Sequence, residues 1–304
     1  MNKKGNTEEI IERLFSILSS EKDSIEFLKA VSEFSKFYEI DKKEQERRSS
    51  EAKSFVKMAL QDFESVKILY QSKIYSLAVY HLQQAVEKYV KAYVLAFFGL
   101  SKKEMKGYVG HDSPKAFIRL LDRYKRSLEL FLKSIQKIGG LDTQFLKISD
   151  EDIRKLVRIV NMSRKQIAEM DSNQIKGIIN ATIKIKIALE NKEIKNQILG
   201  LLSKLKNEAS EIKSSDPSEK FILEKLIDSV DRVLNNLETL LKLSSTFLVL
   251  YMLSIITYPH ATFARYPNKT LPPEKYDENL GIVQYFNEIV KLLDEVANLL
   301  VYEI

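Results

Sequence analysis

The sequence predicts an all-α protein: an antiparallel four-helix bundle with an N-terminal helical extension and an inserted helical hairpin. Three observations lead there. Gly (9) and Pro (6) are scarce over 304 residues, too few breakers for a protein of many short elements. Apolar residues recur every three or four positions through most of the chain. Finally, Leu223, Leu226, Val230, Val233, Leu237 and Leu240 repeat at the 3-4 spacing of a coiled-coil seam.

The elements follow in order. Residues 8–40 carry Ile10, Ile11, Leu14, Phe15 and Leu18, then Phe27, Leu28, Val31 and Phe34, at helical spacing. They form the N-terminal extension, 1–49. The charged run Asp41–Glu51 suits either a linker or the first turns of the next helix. Bundle helix one is expected over Ser50–Tyr70, with Phe55, Met58, Ala59, Phe63, Val66 and Leu69 as its stripe. Helix two spans Ser76–Phe98. Gly99 and a Lys-rich loop stop it. Helix three starts at Ser113-Pro114, a cap residue followed by a first-turn proline. Together these make the first bundle part, 50–125.

Residues 126–243 read as the insertion. Gly139-Gly140 breaks the preceding pattern, and Ser149-Asp150-Glu151-Asp152 restarts a helix. Ile183–Ile187 alternates like a strand, but helical flanks on both sides favour helix. Ile194, Ile198, Leu201, Leu205, Ala209 and Ile212 form a run that the coiled-coil seam can meet across the Ser214–Ser218 connection. The second bundle part, 244–304, ends on a helix expected over Asp277–Tyr302.

Composition narrows the chemistry. There is no Cys, so disulfides and thiolate metal ligands are excluded. Three His leave little room for a His-based metal site, and no cofactor is expected. Phosphate-loop, dinucleotide, metalloprotease and nucleophile-elbow motifs are missing. The N-terminus lacks a signal-peptide apolar core, which points to a cytoplasmic protein. Leu243–Ala264 has no charged residue and is long enough to cross a bilayer. Its Ser, Thr, Pro259 and His260 make a buried bundle helix the better reading, so no membrane partner is expected. Net charge is +6, unevenly spread. Lys102–Arg126 holds eight basic and three acidic residues, whereas Asp277–Ile304 holds six acidic residues and one Lys. A basic stretch favours an anionic partner modestly. The stripe Lys115, Arg119, Arg123 and Arg126 has no aromatic residue on it to stack a base and reads as solvated surface.

Three pieces stand out. They are Ala78-Val79-Tyr80-His81-Leu82-Gln83-Gln84-Ala85-Val86-Glu87-Lys88-Tyr89-Val90-Lys91-Ala92, then Gly110-His111-Asp112, then Ala264-Arg265-Tyr266-Pro267-Asn268. In this order they resemble the HEPN family (higher eukaryotes and prokaryotes nucleotide-binding). Ala59-Leu60-Gln61-Asp62-Phe63 is similar to that family's first helix. The resemblance covers roughly 50–125 and 244–304, with the insertion accounting for the 154 positions between His111 and Arg265. It implies a bundle that dimerises and a cleft that meets nucleotide or RNA, in a defence or toxin–antitoxin setting. Gln84, Lys88, His111, Arg265 and Tyr266 are the nucleotide-binding candidates it marks.

Catalytic members of that family carry an Arg four to six residues before a His. No such pair is present here, and His260 precedes Arg265 instead. Metal-independent cleavage needs a base for the 2′-hydroxyl and a cation for the phosphate. His111 and Arg265 are the candidates if they meet in space. Three functions therefore stay open: a nucleotide- or RNA-binding protein, a metal-independent ribonuclease, or a non-catalytic scaffold holding a protein partner through the hairpin. Structural alternatives stand beside the site residues. Gln84 and Lys88 suit a polar contact inside the bundle, or snorkelling in the case of Lys88. His81 reads as structural, and His111 as either a docked loop residue or a ligand. Arg265 must find an acidic partner, for which Glu87 is a candidate, or an anionic ligand.

Overall fold

The computed structural model describes residues 42–97, 162–211 and 217–304. Among the described residues every long element is a helix and none is a strand. The protein is all-α, as its periodicity dictates. The expected N-terminal extension, the helix beginning at Ser113-Pro114, the start at Ser149 and most of the Ser214–Ser218 connection lie outside the described residues. The described residues divide into two compact units. One holds 188–243; the other holds 42–97, 162–187 and 244–304.

In the second of these units, helix α1 (Lys42–Gln71) and helix α2 (Tyr75–Phe97) form an antiparallel hairpin. The charged run before Ser50 is helical, so it supplies the first turns of α1 rather than a linker. Ala52, Val56, Ala59, Phe63 and Val66 are its buried stripe, at the three-to-four spacing that places them on one face; Met58, expected on that stripe, is instead 47% exposed, and Phe55 and Leu69 are only half-buried at its edges. The helix stops in a Schellman turn. Lys73 adopts φ 59°, its amide donates to the Tyr70 carbonyl, and the Ile74 amide donates to the Leu69 carbonyl. Glycine usually takes this left-handed position. Here the lysine ammonium lies 3.0 Å from Glu278.

Helix α2 is buried around most of its circumference. Val79, Leu82, Val86, Tyr89, Val90, Tyr93 and Leu95 are almost wholly inside, each side chain of this size contributing about 1.5–3 kcal/mol by leaving water. It is the central helix of its unit, packing on α1, on α7 (His260–Phe263), on α8 (Gly281–Gln284) and on α9 (Phe286–Glu303). After a 3₁₀ turn (Pro273–Lys275), where one continuous last helix is expected from Asp277, the chain makes α8 and then α9. The Leu280-Gly281 step and the non-helical Tyr285 (φ −101°, ψ 21°) separate them. Tyr70 stacks flat on Phe286 (4.3 Å, 1°) and donates its hydroxyl to the Val283 carbonyl at 3.2 Å.

The same unit contains α3 (Arg164–Ala168), opened by a Ser163–Gln166 capping box, and most of α4 (Ser172–Glu190). The alternating Ile183–Ile187 lies within α4. Ile175, Ile178, Ile179 and Thr182 bury at helical spacing just before it, and that longer-range period wins over the local alternation. The remaining unit is a helical hairpin of α5 (Lys192–Glu211) and the first part of α6 (Pro217–Thr257). Leu202, Ala209, Leu223 and Val230 form its core, with Ile198, Ile227, Val233 and Leu234 packed against them. Lys195 pairs with Glu238 and Lys206 with Asp231. Partners that rise in number on one helix and fall on the other make the hairpin antiparallel.

The last part of α6 is the uncharged stretch. Val230–Thr257 is long and apolar enough to span a bilayer by length and composition, and 56% of its apolar window is buried inside the protein, as in a core helix. Two of its buried polar groups are satisfied by the helix's own backbone. The Ser254 and Thr257 hydroxyls donate to the Tyr251 and Leu253 carbonyls at 2.7 and 2.8 Å.

Candidate functional site

The site grows from one side of α2 and the loop after α7. Along α2, His81 and Lys88 lie two turns apart on one face. Both reach Asp62 of α1. His81 Nδ1 is 3.0 Å from one carboxylate oxygen, and the Lys88 ammonium binds the other. The three side chains are partly buried, with Asp62 15%, Lys88 19% and His81 31% exposed. A half-buried lysine beside a carboxylate needs no other anion to hold it, so Lys88 is tied into the hairpin. A second polar run follows on the same helix. The Gln84 amide donates to Gln83 Oε1 (2.6 Å), the Gln83 amide to Glu87 (3.1 Å), and Lys91 donates to Glu87 (2.7 Å). Gln83 and Glu87 are nearly wholly buried, and these bonds satisfy them.

Arg265 sits differently. It is exposed, at the head of the loop 265–272. Its Nη1 donates to the Tyr80 hydroxyl at 3.3 Å, and its guanidinium carbon is 5.3 Å from the Tyr80 ring and 5.1 Å from the Tyr266 ring. Both are within cation–π range. No carboxylate pairs with it among the described residues. Glu87, the internal partner that the sequence offers, is instead engaged by Gln83 and Lys91. The physical reason is reach. Arg265 lies on a loop at the Tyr80 end of α2, and Tyr80 sits two turns before Glu87 on that helix.

Asn268 holds this loop in shape. Its Nδ2 donates to the carbonyls of Tyr266 (2.9 Å), Leu271 (3.0 Å) and Phe263 (3.4 Å), and its Oδ1 accepts from the amides of Thr270 (3.0 Å) and Leu271 (2.7 Å). Such side-chain to backbone bonding is what an Asn in a turn does best. Behind the loop, His260 is buried and shares a 2.6 Å hydrogen bond with the Tyr276 hydroxyl. Burial holds the His260 ring down to about 3 and pushes the Tyr276 hydroxyl up. His260 is therefore neutral at ordinary pH and takes no part in binding an anion.

Of the residues singled out from sequence, the structure brings Arg265 and Tyr266 together. It ties Lys88 to Asp62 and Gln84 to Gln83, and His111 lies outside the described residues. Reading the sequence alone misses Asp62, Tyr80 and the organising Asn268. Asp62 and Tyr80 stand inside the quoted motifs, but no spacing rule links position 62 to 81 and 88, or 80 to 265.

Residues 52–107 match the family model of the HEPN domain. The chain carries a HEPN domain. The matched stretch contains most of α1, all of α2 and, with them, Asp62, Tyr80, His81 and Lys88. A HEPN domain suggests a nucleotide- or RNA-related role in general terms. No curated protein and no solved structure matches the chain.

Proposed function

We propose that this HEPN protein binds a nucleotide phosphate of single-stranded RNA at Arg265, with Tyr266 and Tyr80 beside it, and acts as a binding module. The observation that carries this reading is Arg265 itself: an exposed guanidinium with no carboxylate partner among the described residues, flanked by two aromatic rings. A cation for the phosphate next to rings for an unpaired base is the chemistry of single-strand recognition. The loop that presents it is held by Asn268, so little ordering entropy opposes binding. Tyr266 is 51% exposed, which leaves its ring available for stacking.

The test is a fluorescence titration of the full chain with a short single-stranded RNA at two salt concentrations. Removing one phosphate contact should lower the slope of log affinity against log salt by about 0.7. Arg265→Ala is expected to show that loss together with weaker binding. Tyr266→Ala should weaken binding by the worth of one stacked base, about 1–3 kcal/mol, and leave the salt slope unchanged. Lys176→Ala, on the exposed side of α4, should match the wild type. No binding at low salt, or an Arg265→Ala protein that titrates like the wild type, would overturn the reading.

A further inference from the structure

We infer that His81 reads the sugar: through Nε2 it accepts a hydrogen bond from a ribose 2′-hydroxyl, so the site prefers RNA to DNA. The inference rests on Arg265 as the phosphate contact. It begins with Asp62. A carboxylate can only accept, and one oxygen of Asp62 lies 3.0 Å from His81 Nδ1. The proton is therefore on Nδ1, and in the neutral ring Nε2 is the acceptor. Lys88 holds the other carboxylate oxygen, so Asp62 is fixed from two sides and the imidazole is fixed with it. Nε2 has no hydrogen-bond partner among the described residues, and the side chain is 31% exposed.

The position of this acceptor matters as much as its tautomer. The His81 ring meets Tyr80 edge to face at 5.3 Å, and the Arg265 guanidinium carbon lies 5.3 Å from the same Tyr80 ring. An oriented acceptor and an unpaired cation thus share one aromatic neighbour. A nucleotide carries its 2′-hydroxyl only a few bonds from its own 3′-phosphate, so one residue of RNA can offer both groups to this surface. The 2′-hydroxyl is the group by which a protein tells RNA from DNA. Deoxyribose has no donor there and leaves Nε2 to be desolvated without a bond.

The experiment compares three short single strands of one sequence on the full-length protein: RNA, DNA and 2′-O-methyl RNA. The wild type is expected to bind RNA about five- to ten-fold tighter than the other two, the size of one hydrogen bond. The 2′-O-methyl strand keeps the sugar shape and lacks the donor. His81→Asn keeps a donor where Nδ1 was, and so keeps the bond to Asp62, while deleting Nε2. It should abolish the preference, so that RNA and DNA bind with equal affinity. Equal wild-type affinity for RNA and DNA overturns the inference without any variant. So does 2′-O-methyl RNA bound as tightly as RNA, or a folded His81→Asn protein that keeps the preference. If the wild type binds none of the three at low salt, the Arg265 site itself fails, and the inference with it.

Discussion

At the scale of single residues, burial and partners decide what a side chain does. The chain has three histidines, and the two that lie among the described residues are put to opposite uses. His81 is part-exposed and oriented by Asp62, whereas His260 is buried against Tyr276. Burial lowers the His260 pKa to about 3 from its usual 6.5. Below pH 6.5 the unfolded chain takes up a proton that the native ring does not. This group therefore removes stability as pH falls from about 6.5 towards 3, by up to about 1.4 kcal/mol per pH unit, and adds no slope above 6.5. Urea midpoints measured from pH 8 to pH 4 should decline along that limb. His260→Gln is expected to be less stable at pH 8 and to lose stability less steeply below pH 6.5. An unchanged acid limb in that variant would assign the acid sensitivity to other groups.

At the scale of elements, the α5–α6 hairpin separates what packing contributes from what surface charge contributes. Leu202 is 2% exposed and belongs to the same buried core as Ala209, Leu223 and Val230. Lys206 and Asp231 bridge the same two helices at 2.6 Å, yet are 36% and 39% exposed. Cutting a buried leucine back to alanine costs about 2–5 kcal/mol, and an exposed ion pair is worth about 0–1 kcal/mol. Leu202→Ala should accordingly shift the denaturation midpoint of this hairpin strongly, and Asp231→Asn only slightly. Helical circular dichroism during urea unfolding reads both. A larger effect from Asp231→Asn would mean that charge, not the apolar seam, holds the hairpin.

At the scale of the whole molecule, segments far apart in sequence meet at points that only one residue type allows. Gly281, at the start of α8, is such a point. A Cβ built there would lie 2.5 Å from the Met170 carbonyl oxygen and 2.9 Å from the Asp171 carbonyl carbon. The obstacle is backbone, which cannot swing aside as a side chain can. Gly281→Ala should therefore destabilise by about 1–3 kcal/mol, the usual cost of overpacking, as read by thermal melting. A variant that melts with the wild type would show that the loop before α4 yields freely. The same principle of remote closure places Ser49 on the carbonyl of Ile304 at 2.8 Å, joining the first described helix to the last residue.

The sequence by itself determined the helical class, the Ala59, Phe63 and Val66 part of the α1 stripe, the apolar run of the α5–α6 hairpin and the HEPN resemblance. Each is a short-range pattern: an apolar residue every three or four positions, or a motif read along one helix. Such patterns survive without the rest of the protein because helical hydrogen bonds and faces are local. The site was legible only in part. Arg265 and Tyr266 stand out as a basic and an aromatic residue after a long uncharged helix, but their relation to Tyr80 spans 185 positions. The tertiary structure decided that Lys88 pairs with Asp62, that Glu87 answers Lys91, and that Arg265 is left facing solvent between two rings. It also broke the expected last helix into α8 and α9. The physical reason is common to all of these. The partner of a charge, and the space around a glycine, depend on which helices pack together, and no single helix carries that information in its own sequence.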